Sequence, residues 1–412
     1  MFIERRRQQL AGIYREYPRP FWTLVAVTFI DRVGGALLFP FFALYITSRF
    51  HVGMTEVGVL FALFSASSFV GSTLGGALTD RLGRKGMLIF SLIATSLSSL
   101  IMGFVDSLQA FYLLALLTGV FTNSGEPAHQ AMVADLLPEE KRAQGYGIIR
   151  VAFNLSVTIG PAIGGFLAAR SYLLLFVADA VISLITAAIV FVSLPETKPA
   201  AHPGAPPESM AGTFRGYFVV LRDRVFMLFI GACILMGLVY MNMATTLGVY
   251  LRDAHGVPEA GYGLILSLNA IMVVLFQFPI TRRIEGRPPM LMMALGTTLY
   301  AVGFALYGFV STYALFLLAM VIITIGEMLV APVSQALTAS MAPEDMRGRY
   351  MAMFGFSWSI PFAVGPLLAG AIMDNADPRW LWTFSGLVGF LAVAGFLYLH
   401  RQVRPARAAA DY

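Results

Sequence analysis

Seven ionisable side chains lie within otherwise apolar stretches: Asp31, Arg32, Glu126, His129, Arg150, Asp179 and Glu327. Charge is costly in hydrocarbon and marks proton relays, ion paths and ligand sites. Asn123, Glu126 and Gln130 are spaced i, i+3, i+7, which predicts one helical face. Glu327 and Ser334 repeat that spacing, with Gln335 beside them, and Arg150, Asn154, Thr158 and Pro161 share a further face. Burial favours the neutral form of a carboxyl group, which then holds a proton near neutral pH and yields it when a cation arrives. The chemistry open to these residues is therefore exchange of a proton for a bound cation. Glu327 is the first candidate for the exchanging acid, then Asp31 and Glu126, with Arg150 as a partner that tunes one of them. Asp31 and Arg32 project about 100° apart on a helix, so they need different partners. Asp179 reads equally well as structural, and His129 reads as a packing or hydrogen-bonding group.

The elements that position these residues follow from composition. Soluble domains are about 45–50% apolar and about 25% charged; here 58% of 412 residues are hydrophobic and 12% charged. So few charges cannot cover a water-exposed surface, and lipid is the expected solvent. A helix crosses a bilayer with roughly 20 apolar residues. Uncharged runs of that size recur at 57–79, 86–105, 107–125, 151–169, 225–251, 260–281, 350–373 and 380–400, and 288–326 is long enough for two spans. Spans near 21–48 and 171–194 contain only Asp31-Arg32 and Asp179, and a further one reaches about 340 once Glu327 is accepted inside it. The expected fold is an all-α membrane protein of twelve transmembrane helices. No period-2 alternation suggests a barrel, and no cleavable leader is evident. With an inside N-terminus, the inside segments hold 22 of the 28 lysines and arginines, which predicts both termini in the cytoplasm. The expected location is the plasma membrane, the inner one in a Gram-negative cell. The net charge of +5 then reflects this asymmetry, not nucleic-acid binding.

A proline- and glycine-rich stretch at 195–218 separates residues 1–194 from 219–412, predicting a cytoplasmic linker between two six-helix bundles. Shifting the first half by 205 positions superposes Pro127, Gln130, Ala134, Pro138, Glu139 and Arg142 on Pro332, Gln335, Ala339, Pro343, Glu344 and Arg347. The same shift carries Gly160-Pro161 onto Gly365-Pro366 and Gly165 onto Gly370. Six helices return the chain to the same side, so the repeats are parallel. Two facing bundles with a midplane cavity are what alternating access requires, and repeat-equivalent fourth and tenth spans would present Glu126 and Glu327 from opposite halves.

Gly76, Asp80, Arg81, Gly83, Arg84 and Lys85 follow the second span in the pattern G-x-x-x-D-R-x-G-R-K, with a weaker copy around Arg283 to Arg287. Gly76 is placed to let two helices approach closely, Asp80 to meet a positive helix end, and Arg81, Arg84 and Lys85 to pair with Asp135. An arginine anchor without a gating role accounts for Arg84 and Lys85 equally well. In the fifth span Gly160, Pro161, Gly164 and Gly165 predict a bendable, closely packed helix. These motifs, the twelve spans and the central linker resemble the major facilitator superfamily over essentially the whole chain. The Gly-Pro motif is similar to that of its twelve-helix drug/proton antiporters. The resemblance implies a monomeric secondary transporter that exports lipophilic or cationic compounds against protons, without a cofactor. Drug antiporters commonly carry an arginine in the fourth span, and this chain has none there.

Other classes fit less well. The histidines at 51, 129, 202, 255 and 400 are scattered, with no H-E-x-x-H or other metal-ligand cluster, which argues against an embedded metalloenzyme. No P-loop is present, so ATP is not the expected energy source. A metabolite transporter or a flippase of lipids and other amphiphiles is the alternative within the same fold. Cys233, the single cysteine, excludes an intramolecular disulfide.

Overall fold

The computed structural model describes residues 14, 16–198, 218–343 and 346–408, without the side chains of 80, 139, 143, 347, 348 and 403–408. Most of the linker, Glu344 and the side chains of Asp80 and Arg347 therefore lie outside the described residues. Helices α1 (Arg19–Leu38) and α2 (Phe42–Phe50) flank a 3₁₀ turn at Phe39–Phe41 and together make the first span. Next come α3 (Met54–Leu82), α4 (Arg84–Phe104), α5 (Leu108–Asn123), α6 (Glu126–Leu136), α7 (Glu139–Ala168) and α8 (Tyr172–Ser193). The later part holds α9 (Arg224–Thr245), α10 (Leu247–His255), α11 (Glu259–Ile284), α12 (Pro289–Leu306), α13 (Tyr313–Met341), α14 (Arg347–Asn375) and α15 (Arg379–Ala408).

Eleven helical segments among the described residues are long and apolar enough to cross a membrane. The remaining hydrophobic segment, the expected fourth span, is broken. Ser124 and Gly125 separate α5, with 16 residues, from α6, with 11, so neither piece spans alone. Ser124 and Gly125 keep right-handed helical dihedrals, so Asn123 and Glu126 stay on a common side across the break. Pro127 has no N–H to bond the Asn123 carbonyl four residues back, which interrupts the helix here, and Gly125 lets the turn pack on α4, since a Cβ there would lie 2.6 Å from Ser91 Cβ. Large apolar side chains such as Phe69, Phe104, Val192, Phe278 and Phe309 stand exposed, and lipid must cover them.

Contacts divide the chain into two compact units, 1–39 with 63–203, and 40–62 with 204–412. In the first, α1 packs on α7 and α8, and α4 on α8 and α5. In the second, α9 packs on α14 and α15, and α12 on α15 and α13. These are the same pairings moved by six spans, so the sequence repeat is also a repeat of packing. The kinks repeat too. Thr246, which ends α9, is the residue that the 205-position offset assigns to Phe41. Residues 40–62 belong to the second unit by close helix packing, a Cβ on Gly58 lying 2.6 Å from Leu367 Cα, and make polar contacts there at helix ends. Asp374 accepts from the backbone N–H groups of Met54 (2.9 Å) and Thr55 (2.6 Å) at the start of α3. Arg252 donates to Leu44 O (3.1 Å) and Thr47 Oγ1 (3.0 Å) at the end of α2. A carboxylate at a helix N-terminus and a guanidinium at a C-terminus both complement the helix dipole.

Candidate functional site

A cavity of about 440 Å³ opens inside the first unit, walled by α1, α3, α4, α5, α6, α7 and α8. Asp31, Arg32, Asn123, Glu126, His129 and Asp179 line it. Arg32 Nη2 lies 2.6 Å from Glu126 Oε2, and Gln130 Nε2 donates to Glu126 Oε1 at 2.9 Å, so each carboxylate oxygen has a donor. About 40% of the Glu126 side chain and 39% of the Arg32 side chain remain accessible, so the pair borders the open space. The helix break explains why an acid sits there. Glu126 opens α6, ahead of Pro127, where unbonded N–H groups favour negative charge. Asn123 bonds elsewhere: its Nδ2 donates to Ser68 Oγ on α3 at 2.9 Å.

One turn along α6, His129 carries a hydrogen on Nε2. Thr28 Oγ1 lies 2.7 Å from Leu24 O and 2.7 Å from His129 Nε2. Each contact requires a hydrogen, and the hydroxyl carries one. Two acceptors at 2.7 Å would repel, so the hydroxyl donates to Leu24 and His129 donates through Nε2–H. The opposite nitrogen, Nδ1, is buried without a hydrogen-bond partner. Asp179 on α8 accepts from Ser99 Oγ on α4 and lies against the backbone of Gly34 on α1, where a Cβ would come 2.6 Å from its Oδ1.

In the second unit, Tyr240 OH donates to Glu327 Oε1 at 2.9 Å and Asn269 Nδ2 donates to Oε2 at 2.7 Å. Asn269 is held by its further bond to Thr324 Oγ1, at 3.1 Å. The Tyr240 ring meets Tyr300 with centroids 5.4 Å apart and the edge of Trp358 at 5.8 Å. A carboxylate among aromatic rings is chemically suited to an organic cation, which is drawn both to negative charge and to π-faces. Of this cluster the sequence pointed to Glu327 and missed Asn269 and Tyr300. Asn269, a polar group in the apolar run 260–281, was the available signal. Met243 and Phe354 are buried core, with Phe354 stacked on Phe229.

At the end of α3 the loop motif forms a tight cluster. Gly83 adopts φ 96°, a left-handed conformation that glycine accommodates readily. Arg84 Nε meets Asp135 Oδ2 at 3.1 Å, whereas the Lys85 ammonium lies over the Phe191 ring at 5.4 Å. The backbone carbonyl of Arg81 accepts from Lys198 Nζ. Glu196, not among the expected residues, accepts from the backbone N–H groups of Arg84 and Lys85. Burial alone would raise its pKa, but these bonds and those from Lys198 and Thr197 hold it below the ordinary carboxylate range.

Two placements correct the expectations. A Cβ on Gly76 would meet nothing within 4 Å, so Gly76 is not where helices approach. The close contact is one residue earlier and one turn before that. A Cβ on Gly75 would lie 2.6 Å from Ser124 Cα, and one on Gly71 would lie 2.7 Å from Val120 Cα. One residue is 100° of helix, enough to turn a packing position into an open one. Arg150 and Asn154 are exposed on α7 and do not line the cavity, and Arg32 supplies the guanidinium to Glu126 instead. On α7 it is Ser156 that faces α1, donating to Phe29 O at 2.9 Å. Gly160, Pro161, Gly164 and Gly165 are buried, and a Cβ on Gly160 would come within 2.7 Å of the Ala36 backbone. Gln335 is half-buried on α13.

The chain matches the family model described as Major Facilitator Superfamily over residues 24–360 and 234–411. It is 29% identical over 392 residues to a protein named Na(+), Li(+), K(+)/H(+) antiporter from Planococcus maritimus, covering 88% of this chain and 91% of that one. It is 24% identical to the multidrug resistance protein MdtH of Sodalis glossinidius, covering 96% and 91%. Among solved structures, it is similar to a POT family transporter in complex with 5-aminolevulinic acid, at TM-score 0.76 and 16% identity over 94% of this chain and 97% of that one. A bacterial homologue of the human lysosomal transporter Spinster matches at TM-score 0.74 and 14% identity, covering 93% and 96%. These structural likenesses concern the fold alone.

Proposed function

The chain belongs to the Major Facilitator Superfamily, and on that premise we propose that it is a proton-coupled exporter of lipophilic cations working by alternating access. The observation that carries this reading is Glu327. Among the described residues it bonds to the neutral donors Tyr240 and Asn269, with the rings of Tyr300 and Trp358 nearby. A proton neutralises such an acid in one half of the cycle, and an organic cation does so in the other. Each therefore displaces the other, and opposite movement of the two follows. The multidrug relative supports the substrate class.

The test is transport by the purified protein in proteoliposomes. Tetraphenylphosphonium added to wild-type vesicles is expected to drive protons the opposite way, and Glu327→Gln is expected to abolish that counterflow. Movement of the cation that ignores an imposed pH gradient overturns the reading. A second reading, exchange of a monovalent metal cation for protons, is favoured by the antiporter from Planococcus maritimus.

A further inference from the structure

Buried tyrosines of the second unit bond through their hydroxyls. Tyr250, Tyr262, Tyr307 and Tyr350 are each 4% exposed or less, and they donate in turn to Tyr307 O, Met243 O, Phe316 O and Asp223 Oδ2. Tyr300 departs from this pattern. It is 2% exposed and its ring packs on Tyr240 and Phe304, yet its hydroxyl bonds to nothing among the described residues. A buried hydroxyl gives up water on folding and recovers that loss only through a partner. One left without a partner in the finished fold points to a partner that arrives from outside the chain.

The Tyr300 hydroxyl stands within electrostatic range of Glu327 without bonding to it. Oε1 and Oε2 of that carboxyl group already receive Tyr240 and Asn269. A carboxylate offers about four lone-pair sites, so each oxygen keeps one for a ligand. Glu327, Tyr240 and Trp358 are half-buried, which leaves this side of the cluster open. The site therefore presents two acceptors, a carboxylate with spare lone pairs and a phenol oxygen. An ammonium group with two N–H donors satisfies both at once. A quaternary ammonium or phosphonium ion has no N–H and draws only on charge and ring faces.

We propose that Tyr300 makes the Glu327 site selective for protonated primary and secondary amines that carry an apolar group. One N–H bonds to the Glu327 carboxylate and a second to the Tyr300 oxygen, while the rings of Tyr240 and Trp358 add attraction for the charge. The second bond also gives the Tyr300 hydroxyl the partner that the fold withholds. The inference rests on the lipophilic-cation reading above and narrows its substrate class.

Binding of 4-phenylbutylammonium carrying one, two or three N-methyl groups is measured by calorimetry on the purified protein in detergent. At about pH 8 all three probes are cations, and they hold two, one and no N–H donors. Wild type is expected to bind the dimethyl probe about tenfold more weakly than the monomethyl one, the loss of one charge-assisted hydrogen bond. The trimethyl probe is expected to lose a further step of at least that size, because the bond to Glu327 goes too. In Tyr300→Phe the first step is expected to shrink below twofold while the second remains. Should that variant fail to fold, the wild-type series still decides: monomethyl and dimethyl probes bound within twofold of each other overturn the assignment. So does a first step that survives in folded Tyr300→Phe. Tetraphenylphosphonium-driven counterflow alongside a flat series, or alongside no binding of any probe, overturns the amine assignment and leaves the exporter reading standing. Both steps in the binding series without that counterflow leave the amine site standing and overturn the exporter reading.

Discussion

Gly83 lies directly beneath the carboxylate of Glu196. A Cβ on Gly83 would stand 2.8 Å from Glu196 Cδ, and that carboxylate caps the first two backbone N–H groups of α4. The left-handed φ of 96° and the close contact both depend on glycine. Gly83→Ala is expected to destabilise the first unit by about 1–3 kcal/mol, from backbone strain before displacement of the cap is counted. A fall in the apparent Tm of the purified protein reads it. An unchanged Tm would show that the turn can adopt another conformation at no cost.

Glu196 also predicts a pH dependence. Its folded pKa lies below the ordinary value, so its contribution is fully present above that value and is lost as pH falls through the depressed one. Glu196→Gln is expected to lower Tm at neutral pH and to narrow the gap to wild type as the solution is acidified below the usual carboxylate range. A gap that widens on acidification would contradict the sign.

Gly75 and Gly76 make a paired test of register. Gly75→Ala forces a Cβ against the backbone of Ser124 and is expected to cost about 1–3 kcal/mol, as overpacking does. Gly76→Ala meets open space and is expected to be neutral or to stabilise α3 by about 0.5–1 kcal/mol through helix propensity. Equal losses in the two variants would refute the assigned packing face.

Much of the fold was legible in the sequence because hydrophobic run length and the 205-residue repeat are direct consequences of bilayer thickness and repeated packing. Pro127 and Pro332 superpose whether or not a structure is known. The loop motif likewise led to Arg84 and Asp135. What stayed hidden depended on local geometry. The turn at Ser124–Gly125 closes the uncharged run 107–125, and its signal was Pro127, which hydropathy does not weigh. A single residue of helical phase separated Gly76 from Gly75. Glu196 was invisible because its partners are backbone groups, which carry no sequence signature.

Arg32 and Glu126 predict non-additivity. Neutralising one member leaves the other uncompensated, while both are partly accessible, so each single change is expected to cost about 1–2 kcal/mol. Arg32→Met combined with Glu126→Gln is expected to recover most of that loss in apparent Tm. Simple addition of the two losses would mean that the pair carries no coupling.

Trp358 and Tyr240 separate binding from coupling around Glu327. Trp358→Ala removes an aromatic surface and is expected to weaken tetraphenylphosphonium binding about three- to tenfold. Tyr240→Phe keeps the ring and removes one of the two donors to the carboxyl group, so it is expected to reduce proton counterflow more than binding. Binding isotherms and vesicle counterflow distinguish the two, and identical profiles for both variants would refute the division of roles.

The separation of 94 positions from Arg32 to Glu126 also bears on biogenesis. The ribosome releases α1 long before α6, so Arg32 reaches the insertion machinery while its partner is still unmade. A charged residue at the centre of a nascent span raises its insertion free energy by about 2.5–3.5 kcal/mol, and here Asp31 and Arg32 arrive together. The first span thus enters lipid as a reluctant helix, and its secure seat comes only when Glu126 emerges. Assembly of this unit is timed by a pair that closes across four spans of newly made chain.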